Sequence, residues 1–256
     1  MAFRSQKANS SAVLILAVAA FAGSLSAAEL RYPVKHDHLW KSSTGTLTFS
    51  EEGVAYQEHA KETGNDEKDL HRGSWSYEDI QQLYLAPRKV SIRTYKDRKW
   101  RLGADEQLEL TLEGDQTFEA AYDLLKGRLD QRLVAAFAED EMRVLWEVPV
   151  KLKRLISGSQ GVLQFGHDRI VYQTPDREEA RTWRYSDIEN ISSSGHFQLT
   201  ITTFEKSGRD YGDQRALNFQ LKRPLDQKRY NELWRRLNQT KDVDLITSIQ
   251  NEGANR

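Results

Sequence analysis

The sequence predicts a mainly β protein with some α: a bent meander of short strands closed by one C-terminal helix, written twice. Three observations predict it. Residues 33–129 recur at 149–237, each copy alternates apolar and polar residues with period two, and each copy then switches to the helical period. Pro33-Val34-Lys35 returns as Pro149-Val150-Lys151, and Gly45, Leu47, Phe49, Val54 and Tyr56 return as Gly161, Leu163, Phe165, Ile170 and Tyr172, all at an offset of 116. Trp75, Tyr77, Asp79 and Ile80 match Trp183, Tyr185, Asp187 and Ile188 at an offset of 108. Ile92, Thr94, Gly103, Leu108, Leu110 and Leu112 match Ile201, Thr203, Gly212, Leu217, Phe219 and Leu221 at 109. The order is kept and the offset moves only at loops. The period is at least twice that of a typical solenoid repeat, so each copy is long enough to hold its own core.

Each element follows from this pattern. Leu47 and Phe49 alternate with Thr46, Thr48 and Ser50, and successive strand side chains point to opposite faces, so one face is apolar. Trp75/Tyr77, Val90/Ile92 and Leu108/Leu110/Leu112 repeat the pattern, separated by the turn chemistry of Glu52-Gly53, Gly64-Asn65-Asp66, Ala86-Pro87 and Gly103-Ala104-Asp105. Six or seven strands per copy are expected. Phe118, Ala121, Tyr122, Leu125 and Leu129 then fall on one helical stripe, as do Tyr230, Leu233, Trp234 and Leu237. Asp115 is the expected N-cap of the first helix, and Pro224 suits the first turn of the second. Leu133, Val134 and Phe137 prolong the first stripe, which predicts a long helix reaching over the second copy. No Gly/Ser/Pro-rich linker separates the copies, so they are expected to pack together.

Gly-x-Leu-x-Phe, then Trp-x-Tyr-x-Asp-Ile, then a strand ending in Thr, then an amphipathic helix resembles the pleckstrin-homology-like fold, nearest to bacterial PH-like and GRAM-like domains. The resemblance covers about 45–129 and 161–237 and implies two tandem barrels, each capped by its helix. The tryptophan usual in the terminal helix of that family is matched by Trp234, where copy one has Lys126. The hairpins Ser50-Glu51-Glu52-Gly53 and Gly166-His167-Asp168 lack the basic cluster of phosphoinositide readers, so that function is not implied. The expected organisation is a signal peptide at 1–28, a first PH-like domain at 29–140, a second at 141–240 and a polar tail at 241–256.

The N-terminal segment reads as an export signal. Arg4 and Lys7 precede the apolar run Ala12 to Ala22, and Ser26-Ala27-Ala28 is a small-residue cleavage pattern. Eleven apolar residues are too few to span the ~30 Å of a bilayer comfortably. The expected location is the bacterial periplasm or the exterior. There is no cysteine, hence neither disulfide nor lipid attachment at that residue. Cleavage removes two of the 37 basic residues and none of the 38 acidic ones, taking the formal charge from −1 to about −3. That balance excludes a general nucleic-acid binder and simple adhesion to anionic lipid.

Candidate chemistry is sparse. His36 and His38 share a face on a strand and point to metal binding if further ligands join them; copy two has Leu152 and Arg154 there. Asp79 and Asp187 are expected to bond local backbone at turns. The segment Thr94 to Arg101 is a charged, aromatic hairpin peculiar to copy one, and its Tyr95, Arg98 and Trp100 suit recognition of an anion or a partner chain. The loop between Tyr56 and Trp75, eight residues longer than its counterpart, carries Glu58, Glu62, Asp66, Glu67 and Asp69. No nucleophile elbow, phosphate loop or zinc-protease helix appears. The expectation is a non-enzymatic binding protein with no cofactor that recognises a protein or peptide; the alternative is a metal- or small-ligand-binding envelope protein using His36 and His38.

Overall fold

The structure is a computed structural model, and it describes residues 29–37, 42–59, 72–98, 101–154, 158–206, 214–239 and 241. The first copy supplies β1 (Leu30–Asp37), β2 (Ser42–Phe49), β3 (Gly53–Glu58), β4 (Arg72–Ser76), β5 (Ile80–Leu85), β6 (Lys89–Arg98), β7 (Arg101–Leu112), a 3₁₀ turn (Phe118–Ala121) and α1 (Tyr122–Lys126). A short strand β8 (Leu133–Ala135) follows. The second copy supplies β9 (Trp146–Lys153), β10 (Gln160–Phe165), β11 (Arg169–Gln173), β12 (Arg181–Arg184), β13 (Ile188–Ser192), β14 (Gln198–Lys206), β15 (Gln214–Leu221) and α2 (Gln227–Gln239). All strands join one open 15-stranded sheet, in the order β13-β14-β15-β9-β10-β11-β12-β8-β5-β6-β7-β1-β2-β3-β4.

The duplication is visible at the level of single residue pairs. Within each copy the strand order is the same, every strand of the second being numbered eight above its counterpart. Val34 faces Gly45 and Leu112, and Val150 faces Gly161 and Leu221. Leu47 faces Tyr56 as Leu163 faces Tyr172, and Val54 faces Trp75 as Ile170 faces Trp183. Even the irregularity is copied: β5 slips against β6 between Ile80 and Gln82, and β13 slips against β14 between Ile188 and Asn190. A one-residue slip would turn every apolar side chain to the wrong face, so shared register means shared cores. Each copy has its own apolar cluster, one around Leu47, Phe49, Phe118 and Leu125, the other around Leu163, Phe165, Phe219 and Leu233.

The repeated glycines and tyrosines have packing reasons. A Cβ on Gly45 would lie 2.5 Å from the Gln57 carbonyl oxygen and 2.6 Å from the Tyr56 ring; at Gly161 it would collide with the Gln173 carbonyl and lie 2.7 Å from the Tyr172 ring. Tyr77 donates to the Ser50 carbonyl at 2.6 Å, and its counterpart Tyr185 to the Gly166 carbonyl at 2.9 Å. Asp79 accepts from the Ser76 amide at 3.1 Å, and Asp187 from the Arg184 amide at 2.9 Å. These aspartates tie the local backbone, as their repetition predicts. Because the obstacle at Gly161 is a strand carbonyl, Gly161→Ala is expected to cost about 1–3 kcal/mol, read as a lower urea midpoint with unchanged slope.

The helical readings need correction at the first copy. The stripe from Phe118 forms only a 3₁₀ turn and the five residues of α1. Gly127 ends it, and Asp130 adopts φ +45°, outside any continuing helix. Leu133, Val134 and Phe137 therefore do not prolong it. Residues 133–137 are all buried, and β8 inserts between the two copies, parallel to β5 and antiparallel to β12. Asp115 caps nothing, since Thr117 holds the N-cap position without a side-chain bond. In the second copy α2 buries Leu233 and Leu237 as predicted, but Asp226 caps it, accepting from the Arg229 amide at 2.8 Å, and Pro224 precedes it. The basic residue after each helix does the same job: Arg132 donates to the Tyr77 and Ile80 carbonyls, and Lys241 to those of Ile188 and Glu189.

Candidate functional site: the cleft at the seam

Strand β8 brings the two copies side by side, and side chains lock the seam. Gln82 on β5 donates to the Phe204 carbonyl and accepts from the Lys206 amide, both at 3.3 Å, on β14. Arg184 chelates Asp187, with its Nε 3.0 and 3.1 Å from the two carboxylate oxygens. It also donates to the Lys126 and Asp130 carbonyls of the first copy. Thr182 donates to the Phe137 carbonyl at 2.9 Å and accepts from the Glu139 amide at 3.0 Å.

Beside this seam lies a cleft of about 660 Å³. The first copy contributes one wall from β5, the turn after it, β6 and β7, including Tyr84, Arg88, Lys89, Ser91, Arg93, Gln107 and Glu109. The second contributes Arg154, Arg177, Glu178, Glu179, Arg181, Glu205, Lys206 and Arg215. Its base is a buried ion network. Arg181, 2% exposed, pairs with Glu205, 6% exposed, and its guanidinium lies 5.4 Å from the centre of the Tyr84 ring. Arg215 pairs with the same Glu205, and Arg154 with the buried Glu179. On the opposite wall Lys89 pairs with Glu109 at 2.6 Å. Burial disfavours the Arg181 charge, but Glu205 and its other neighbours outweigh this and hold the guanidinium above its ordinary range.

Sequence reasoning missed this site. One signal was present: along β14, Leu199, Ile201, Thr203 and Glu205 are all buried with period two, so Glu205 is a charge written at a core position. The first copy has Lys96 at the matching place, and Gly73 where Arg181 stands.

The predicted site residues are only partly brought together. Tyr95 is 59% exposed on β6, two residues beyond the cleft-lining Arg93, and its amide is tied to the Asp79 carbonyl. Arg98 ends β6, opposite Arg101 on β7, and Trp100 lies outside the described residues. His36 is half-buried on β1, edge-on to the Tyr56 ring at 6.1 Å. It borders a separate cavity of about 240 Å³ with Arg72, Trp75 and Glu106. His38 lies outside the described residues, as do His71 and most of the acidic loop, while His59 meets the Thr46 hydroxyl at 2.8 Å. Among the described residues no three His, Cys, Asp or Glu side chains cluster as metal ligands. Residues 1–28 are likewise outside, and among the described residues no helix is long and apolar enough to cross a membrane.

No family model and no curated protein matches the chain. The solved structures it is similar to include the two that follow. The C-terminal domain of an unknown protein from Leishmania infantum matches at 13% identity and a TM-score of 0.29, over 47% of this chain and 94% of that one. The Spt16D Pob3N heterodimer matches at 14% identity and a TM-score of 0.28, over 74% of this chain and 95% of that one.

Three tyrosines around the seam and the cores carry a pH signature. Burial pushes Tyr77, Tyr122 and Tyr185 up to about 12 from the ordinary 10. The folded chain therefore keeps protons that the unfolded chain sheds between pH 10 and 12. Their contribution is complete below pH 10 and is lost as pH rises through 12. Alkaline unfolding is expected to coincide with tyrosinate absorbance in that window, and Tyr185→Phe to flatten the dependence.

Proposed function

We propose that the chain is an exported, non-enzymatic binding protein built from two duplicated PH-like barrels. Its partner is a protein or peptide, held at the seam cleft and the β6–β7 hairpin beside it. The shared strand order, closed in each copy by a C-terminal helical segment, fits that barrel resemblance, although a fold alone fixes no function. The observation that carries the reading is the cleft: a groove between two strand-built walls, lined by long polar side chains and flanked by the exposed Tyr95. Rigid strands position such groups with little ordering cost on binding.

The test is crosslinking capture from the envelope fraction with three proteins. They are the wild type, the hairpin variant Tyr95→Ala/Arg98→Ala/Trp100→Ala, and the cleft variant Arg88→Ala/Arg93→Ala/Lys206→Ala. Partners captured by wild type are expected to be lost by both variants at unchanged thermal midpoint. An identical set of partners for all three would remove the proposal. Export is checked separately: the mature protein is expected to begin just after Ala28.

A further inference from the structure

We propose that the cleft takes an extended peptide bearing carboxylate side chains, an inference that rests on the reading above and names its ligand class. Two independent observations point to it. The first is an excess of positive charge: among the described residues Arg88, Arg93 and Lys206 have no ion-pair partner. Lys89, Arg154, Arg181 and Arg215 are matched by glutamates, but among the described residues Arg88 and Arg93 meet neutral acceptors, the Leu112 carbonyl at 3.1 Å and the Gln107 amide oxygen at 3.4 Å. Lys206 lines the opposite wall, its backbone amide held by the Gln82 side chain. Guanidinium groups fixed this way are preorganised for carboxylate oxygens.

The second observation selects a peptide over a simple polyanion. Glu179 is 7% exposed and spends one carboxylate oxygen on Arg154, while its Oε2 is buried with no partner among the described residues. A buried carboxylate oxygen needs a donor. Sulfate brings only acceptors at neutral pH, and phosphate, although it keeps a hydroxyl, would set its concentrated charge beside Glu178 and Glu179. A peptide strand brings both kinds of group: carboxylates for Arg88, Arg93 and Lys206, and backbone N–H for Glu179.

The experiment is fluorescence anisotropy on the full mature chain. The probes are a labelled peptide alternating Glu with Val, its Lys-for-Glu counterpart, and the Glu peptide N-methylated at its backbone, with inorganic phosphate as competitor. The Glu peptide is expected to bind, more weakly as salt rises. The Lys peptide is expected not to bind, and N-methylation to weaken binding roughly tenfold. Arg88→Ala/Arg93→Ala/Lys206→Ala, whose side chains support no ion pair in the fold, is expected to weaken it by about tenfold or more. Equal binding of the Lys peptide, indifference to N-methylation, or complete displacement by low phosphate would overturn the inference. If envelope partners depend on these cations but the Glu peptide fails to bind, the acidic-peptide assignment falls alone. If capture ignores them, the reading beneath it falls as well.

Discussion

Replacing Arg181 by alanine is expected to cost about 3–5 kcal/mol, lowering the urea midpoint steeply. Arg181 is buried against Glu205, donates to the Glu178 and Ala180 carbonyls at 2.9 and 2.8 Å, and packs over Tyr84. Its loss strands a buried carboxylate with only Arg215 to answer it, and leaves two carbonyls unbonded. The double variant Arg181→Met/Glu205→Leu is expected to recover most of this, because removing both charges also removes their desolvation cost. Recovery of stability with impaired peptide binding would show that the pair is kept to shape the cleft. A double variant as unstable as the single one would mean that the carbonyl bonds of Arg181, and not the ion pair, carry its contribution to stability.

The second large effect is expected at the residue that follows β8. Ala136→Pro removes the amide that donates to the Leu85 carbonyl at 2.8 Å, in a fully buried segment. Proline there, next to a central strand and without the amide that strand's neighbour uses, is expected to cost about 3 kcal/mol. The pattern of unfolding is as informative as the size of the loss. The wild type is expected to melt in one transition, since β8, Gln82, Arg181 and Arg184 all couple the copies. Each copy keeps an uninterrupted apolar cluster, so the variant is expected to melt in two steps by calorimetry. A single transition in Ala136→Pro would place the coupling in the side chains across the seam instead.

The duplicated frame was legible because period-two alternation fixes both face and register. Gly45, Leu47 and Phe49 stand opposite the partners that their repeats at Gly161, Leu163 and Phe165 predict. The strand β8 was misread for a physical reason. Leu133, Val134 and Phe137 fit a helical stripe, but Ala135 and Ala136 make the run apolar throughout, and an uninterrupted short apolar run also describes a strand buried on both faces. Gly127 before it was the discriminating residue. The cleft was out of reach of pattern reading for another reason. Arg93 and Arg154 come together only through the seam, and nothing local to either records that meeting. His36 is found against the Tyr56 ring in its own copy, and His38 lies outside the described residues.

The linking strand also bears on the history open to this gene. Leu133–Phe137 belongs to neither copy, yet both cover it. A recombination event that carried off the first half would strip Leu133, Ala135 and Phe137 of the core they pack in, and loss of either half would leave one edge of this strand unanswered. Two modules that began interchangeable have thereby become a single inheritable unit, able to diverge in their outward faces but no longer free to part.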